Sequence, residues 1–151
     1  MNELRDLYQE VILDHNKRPR NFGSLPDATR EADGYNPLCG DKVHVYVKLD
    51  DGRVDDVRFE GEGCAISTAS ASLMTEAIKG RTFDEIETLF RGFHELLTGD
   101  PSVAAKAGPE LGKLAVMEGV RAYPMRVKCA TLVWHTLQAA LDERQAPVST
   151  E

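Results

Sequence analysis

Three cysteines and one aspartate are the residues in this sequence best equipped for chemistry. Cys39 and Asp41 stand two apart in Asn36-Pro37-Leu38-Cys39-Gly40-Asp41. Cys64 follows Gly61-Glu62-Gly63, and Cys129 follows Arg126-Val127-Lys128. A thiol and a carboxylate two apart point to one side if the turn that carries them runs into an extended segment, and Gly40 keeps the backbone between them uncrowded. Cys64 and Cys129 each open a helix-like segment, where exposed N–H groups and the helix dipole favour a thiolate.

Three thiolates and one carboxylate suit tetrahedral zinc or an iron–sulfur cluster. Such a set with Zn²⁺ is net anionic, so Lys42, Arg126 and Lys128 are the candidate counter-charges. The set differs from the Cys₄, Cys₃His and Cys₂His₂ sets of structural zinc. Aspartate is the hard ligand among soft ones, which makes ligand exchange at the site conceivable. The spacing contains no Cys-x-x-Cys pair, so by itself it also admits three buried, inert cysteines. His15, His94 and His135 lie on or beside helices as packing or surface residues, and His44 falls on the polar face of a strand. The acidic run Asp50, Asp51, Asp55 and Asp56 lacks the spaced pattern of a calcium loop and reads as a solvated hairpin.

The elements that position these residues are legible in the patterning. Leu4, Leu7, Tyr8, Val11 and Ile12 form one stripe of an amphipathic helix over residues 2–16. Pro19, Gly23 and Pro26 mark an extended loop, and residues 30–35 read as a short edge strand. Lys42 to Leu49 alternates, with Val43, Val45, Val47 and Leu49 on one face. Asp51-Gly52 supplies a hairpin turn into a second strand carrying Val57 and Phe59 inward. Val54 is out of phase with Val57, which predicts a late strand start or a bulge. The small-residue helix after Cys64 ends at Lys79-Gly80. Thr82 and Glu85 form a capping box for the next helix, whose core face is Ile86, Leu89, Phe90, Phe93, Leu96 and Leu97. Pro109 starts a short helix with Leu111, Leu114 and Ala115, and Pro124 leads into the last one. One helix, a small antiparallel sheet and several more helices make an α+β domain over residues 1–144, with a flexible tail from 145 to 151.

The chain has 151 residues, 42% hydrophobic and 28% charged, the composition of one soluble globular domain. Its net charge of −7 argues against nucleic acid or an anionic membrane as partner. No apolar stretch approaches a membrane span, and the polar start Met1-Asn2-Glu3-Leu4-Arg5 lacks the features of a secretory signal. An odd cysteine count fits the reduced thiols of the cytoplasm.

Four stretches together resemble the U-type iron–sulfur cluster assembly proteins. They are Leu7-Tyr8 through Val11-Ile12-Leu13-Asp14-His15 with Pro19-Arg20-Asn21; Asn36 to Asp41; Phe59 to Ser67 with Ala69 to Ser72; and Arg126 to Leu132 with Trp134. The resemblance is closer to the SufU branch than to the IscU branch. IscU-type proteins carry a histidine immediately before the third cysteine, where this sequence has Lys128, and residues 98–120 look like the segment that SufU-type proteins insert. Leu38 stands where the family usually has a smaller or polar residue.

The resemblance implies a SufE/NifU-like fold with a three-stranded sheet. It also implies a zinc site of Cys39, Asp41, Cys64 and Cys129, and a pyridoxal-phosphate cysteine desulfurase of the SufS type as partner. In that scheme a partner histidine displaces Cys39 from zinc, and Cys39 takes the persulfide sulfur for delivery to downstream iron–sulfur scaffold proteins. Arg126 and Lys128 then support the anionic thiolates. The alternative it leaves open is a scaffold that assembles and hands on a [2Fe–2S] cluster with the same ligands. A third reading is an adaptor with a structural zinc.

Overall fold

The structure, a computed structural model, describes residues 2–37, 40–99, 112–121, 123–142 and 148–149. Helix α1 (Asn2–Lys17) is followed by strands β1 (Arg30–Asn36), β2 (Asp41–Asp50) and β3 (Arg53–Glu62). Helices α2 (Ala65–Ile78) and α3 (Phe83–Thr98), a 3₁₀ helix (Gly112–Val120), helix α4 (Pro124–Leu141) and a two-residue strand β4 (Val148–Ser149) complete the order. The side chains of Leu4, Leu7 and Tyr8, and the expected helix start at Pro109 and Leu111, lie outside the described residues.

The sheet has the order β3-β2-β1-β4, with β1, β2 and β3 forming the expected antiparallel meander. Asp51 and Gly52 both take positive φ, 52° and 76°, the conformation of a two-residue turn whose twist matches the strands it joins. Lys48 pairs with Asp56 and Leu49 with Val54, so Asp55 is the extra residue of a bulge. The bulge lets Val54 and Val57 both reach the core despite their odd spacing, each fully buried. In β1 the inward residues are Ala32, Gly34 and Asn36. β1 is not an edge along its whole length: Gly34 and Tyr35 pair in parallel with Val148 and Ser149 of β4.

α2 and α4 pack on the buried face of the sheet, with α1 laid against α2. Small residues let them come close. Ala69, Ser70, Ala71 and Ser72 of α2 are all buried, and Ser70 Oγ donates to the Ala130 carbonyl of α4 at 2.5 Å. A Cβ on Gly34 would lie 2.0 Å from Thr136 Oγ1, so α4 touches the backbone of β1. On the far side of α4, Trp134 is fully buried between Phe90 and Phe93 of α3, at centroid distances of 5.6 and 5.2 Å. α3 begins with the expected capping box, the Thr82 amide donating to Glu85 Oε1 at 3.0 Å and the Glu85 amide to Thr82 Oγ1 at 3.3 Å.

Candidate metal centre

Three polypeptide segments converge at one corner of the sheet. Asp41 is the first residue of β2, Cys64 caps α2, and Cys129 lies in α4. One oxygen of Asp41 and the sulfurs of Cys64 and Cys129 all lie within 4.8 Å of one another, an arrangement able to hold a metal ion. Asp41 is fully buried and Cys129 is 3% exposed, whereas Cys64 is open to solvent. Donors around a tetrahedral zinc sit about 3.5–3.8 Å apart, and Cys64 Sγ and Asp41 Oδ2 stand at 3.8 Å. Two soft sulfurs and one carboxylate oxygen with this spacing fit zinc.

Each donor is aimed by its own element. The Cys64 amide donates to Asp41 Oδ1 at 2.8 Å, and Cys64 Sγ lies 3.8 Å from Asp41 Oδ2. As N-cap, Cys64 Sγ accepts from the Ser67 amide at 3.4 Å. The Cys64 thiol is pulled down to about 7, first by its hydrogen bond with Cys129. Burial opposes this, the Ser67 and Ile66 amides assist it, and the Asp41 carboxylate opposes it. A thiol in that range is ready to bind metal as thiolate. Cys129 differs from the sequence expectation. It is the sixth residue of α4, past the helix's unpaired amides, so the N-terminal argument made for Cys64 does not extend to it. Its local donor is instead Asn36, fully buried, whose Nδ2 lies 4.0 Å from Cys129 Sγ.

Cys39 lies outside the described residues, as does Leu38. The residues on either side are described: the Gly40 amide donates to the Asn36 carbonyl at 2.9 Å and Gly40 has φ +73°. A backbone bond therefore joins Gly40 to the last residue of β1 directly before Asp41.

Cys64 and Cys129 line a cleft of about 580 Å³ together with Gln9, Ile12, Leu13, Ala65, Ile66, Met125 and Arg126. The expected counter-charges separate. Arg126 lines this cleft, its guanidinium stacked 4.5 Å from the centroid of the Tyr123 ring. Lys128 is half-buried one residue before Cys129. Lys42 lines a different cavity of about 440 Å³, beside Asp33, His44 and Glu60. None of the four histidines supplies a donor within the trio. His15 is buried and bonded to Ser72 Oγ at 2.7 Å, and His44 sits between Asp33 and Glu31. Two residues that the sequence reading gave no role act on the donors. Asn36 faces Cys129, and Gly63 lies against the Asp41 carboxylate. Their signal was present only as the turn-forming flanks of Cys39 and Cys64.

The model of the NifU-like N-terminal domain matches residues 7–130, and the chain belongs to that family. It is 41% identical over 145 residues to the zinc-dependent sulfurtransferase SufU of Bacillus subtilis, covering 94% of each chain. It is 40% identical over 141 residues to the iron–sulfur cluster assembly scaffold protein IscU of Streptococcus pyogenes, covering 93% of this chain and 86% of that one. Among solved structures it superposes with a TM-score of 0.75 and 37% identity on one from Fervidobacterium islandicum AW-1, described as an iron–sulfur cluster assembly scaffold protein for the SUF system. That match covers 89% of this chain and 96% of the other. Among the described residues, no helix is long and apolar enough to cross a membrane.

Proposed function

We propose that the chain is a zinc-dependent sulfur acceptor, taking persulfide sulfur onto Cys39 from a SufS-type cysteine desulfurase and yielding it to downstream iron–sulfur scaffold proteins. The observation that carries this reading is the convergence of Asp41, Cys64 and Cys129, with the two cysteines lining an open cleft. Cys39, two residues before Asp41, completes the set. Zinc held by these residues would keep their sulfurs deprotonated at neutral pH and shielded from reaction.

The chemistry belongs to Cys39. Free of the metal, its thiolate would attack the outer sulfur of the partner's cysteine persulfide. The partner's S–S bond breaks as the new S–S bond on Cys39 forms, and the partner's cysteine leaves as thiolate. One sulfur atom moves with no net oxidation. Asp41 and the two remaining cysteines keep the site assembled meanwhile. Arg126, on the rim of the cleft, and Lys128 balance the anionic sulfur. Thiols that must stay reduced between cycles fit a cytoplasmic protein.

A second reading has support from the relatives described as scaffolds: the same donors would receive a [2Fe–2S] cluster as cargo. Intact-protein mass after mixing the zinc-loaded chain with the desulfurase and cysteine, without reductant, separates the two. Sulfur transfer predicts a gain of one sulfur atom that is absent in Cys39→Ala. No added sulfur with zinc retained contradicts it, and visible absorbance after anaerobic iron reconstitution then identifies the scaffold.

A further inference from the structure

Asp41 has two carboxylate oxygens, and the structure uses them differently. Oδ1 accepts the Cys64 amide at 2.8 Å, while Oδ2 is the oxygen 3.8 Å from Cys64 Sγ. What keeps the carboxylate in this orientation is an absence of side chain. A Cβ on Gly63 would lie 2.7 Å from Asp41 Oδ1, 3.1 Å from its carboxyl carbon and 3.3 Å from Ser67 Cβ. The first of these is a distance real Cβ atoms essentially never show, and Ser67 closes the other side. Asp41 itself is fully buried, so its carboxylate has no solvent to retreat into.

Gly63 is not required here for its backbone. Its φ lies outside the left-handed region, unlike that of Gly61 two residues earlier, at +157°. A Cβ on Gly61 would meet the Lys42 carbonyl oxygen at 2.1 Å, within the β2–β3 ladder. Gly61 therefore protects the sheet, whereas the space at Gly63 is reserved for one carboxylate.

We infer that Gly63 is a positioning residue for the metal centre: by leaving room for Asp41 Oδ1 against the Cys64 amide, it fixes Asp41 as a one-oxygen donor through Oδ2. This rests on the reading that these residues hold zinc. A methyl group at position 63 pushes the carboxylate off the Cys64 amide and turns Oδ2 away from the sulfurs. The donor set is then weakened without loss of any donor.

The test is a double-mutant cycle on the full chain, read by zinc affinity in chelator competition and by the visible absorption of the cobalt-substituted protein. Gly63→Ala is expected to weaken zinc by about tenfold or more, the range for supports around a ligand. It is also expected to change the cobalt spectrum. In an Asp41→Ala background, where the methyl has nothing to displace, Gly63→Ala should change affinity by less than about twofold. Unaltered affinity and spectrum in Gly63→Ala overturn the inference, and so does an equal loss in both backgrounds. If Gly63→Ala does not fold, recovery of folding in the double variant supports the same clash, and continued failure overturns it. A wild-type chain that binds no zinc would instead sink the metal reading itself.

Discussion

Helix α2 has two polar ends built from similar small residues, and they are put to opposite uses. Near its middle and C-terminal end, Ser72 Oγ accepts the Arg20 amide at 2.8 Å and bonds His15 Nδ1 at 2.7 Å. Thr75 Oγ1 accepts Asn21 Nδ2 at 3.0 Å and donates to the Ser72 carbonyl at 2.7 Å. These bonds latch the loop after α1 onto the helix, with polar groups facing partners at ordinary hydrogen-bond distances. At the N-terminal end, Cys64, Asp41 and Cys129 aim their donors at a common point, with sulfur contacts of 3.4–4.0 Å. A cluster of hydroxyl, amide and imidazole partners holds a fold together; two thiols and a carboxylate gathered within metal-ligand reach are able to hold an ion as well.

The comparison can be broken from either end, and the largest effect belongs to the metal corner. Cys64→Ser removes an exposed donor. Zinc affinity should fall by more than about 100-fold, beyond the loss seen for supporting residues, while denaturant unfolding of the metal-free protein moves by less than about 1 kcal/mol. Ser72→Ala should do the reverse. It strands the Arg20 amide and His15 Nδ1, costing about 2–3 kcal/mol in unfolding free energy, with zinc affinity unchanged. Equal effects of the two substitutions on metal and on stability would erase the distinction.

A smaller effect is expected at the cleft rim. Arg126→Ala leaves the donors in place, so zinc affinity should hold while the rate of sulfur loading falls several-fold, most at low salt. Unchanged loading across salt concentrations would remove Arg126 from the proposal.

The smallest effect lies on the outer face of the sheet. Burial lowers the His44 pKa, but hydrogen bonds to Asp33 and Glu31 outweigh it and raise the net value above 6.5. A raised pKa means the charged form is favoured by folding. The stabilisation is complete below the unfolded value and is lost as pH rises through the folded one. Melting temperature should therefore drift down above about pH 6.5 by an amount that His44→Asn abolishes. Zinc binding should be indifferent to that substitution.

Much of the frame was legible in the sequence because its signals are local. The Asp51-Gly52 turn, the Thr82–Glu85 box and the cap at Cys64 depend on residues within a few positions of one another. The out-of-phase Val54 left a late strand start or a bulge open, and the bulge is what forms. β1 was harder, because its buried residues are Ala32, Gly34 and Asn36, and no apolar alternation marks them. Close approach of Thr136 demands glycine there, a reason that lies 102 residues away in the chain. β4 pairs over two residues, too few for any periodicity.

The donor corner was partly legible. Residue type marked Asp41, Cys64 and Cys129, and their resemblance to a known family joined them, but spacing alone did not bring them together. The position of Cys129 within α4 depended on where that helix starts, at Pro124. Asn36 and Gly63 act through contacts with partners 93 and 22 residues away, which no local pattern announces.

The measurement that tests the account most directly is zinc K-edge X-ray absorption on the purified full chain, paired with metal content. The account predicts one zinc per chain, with three sulfur neighbours at about 2.3 Å and one oxygen at about 2.0 Å. It also predicts that Cys39→Ala removes one sulfur from that shell. A chain without zinc, or a shell of light atoms alone, would contradict it.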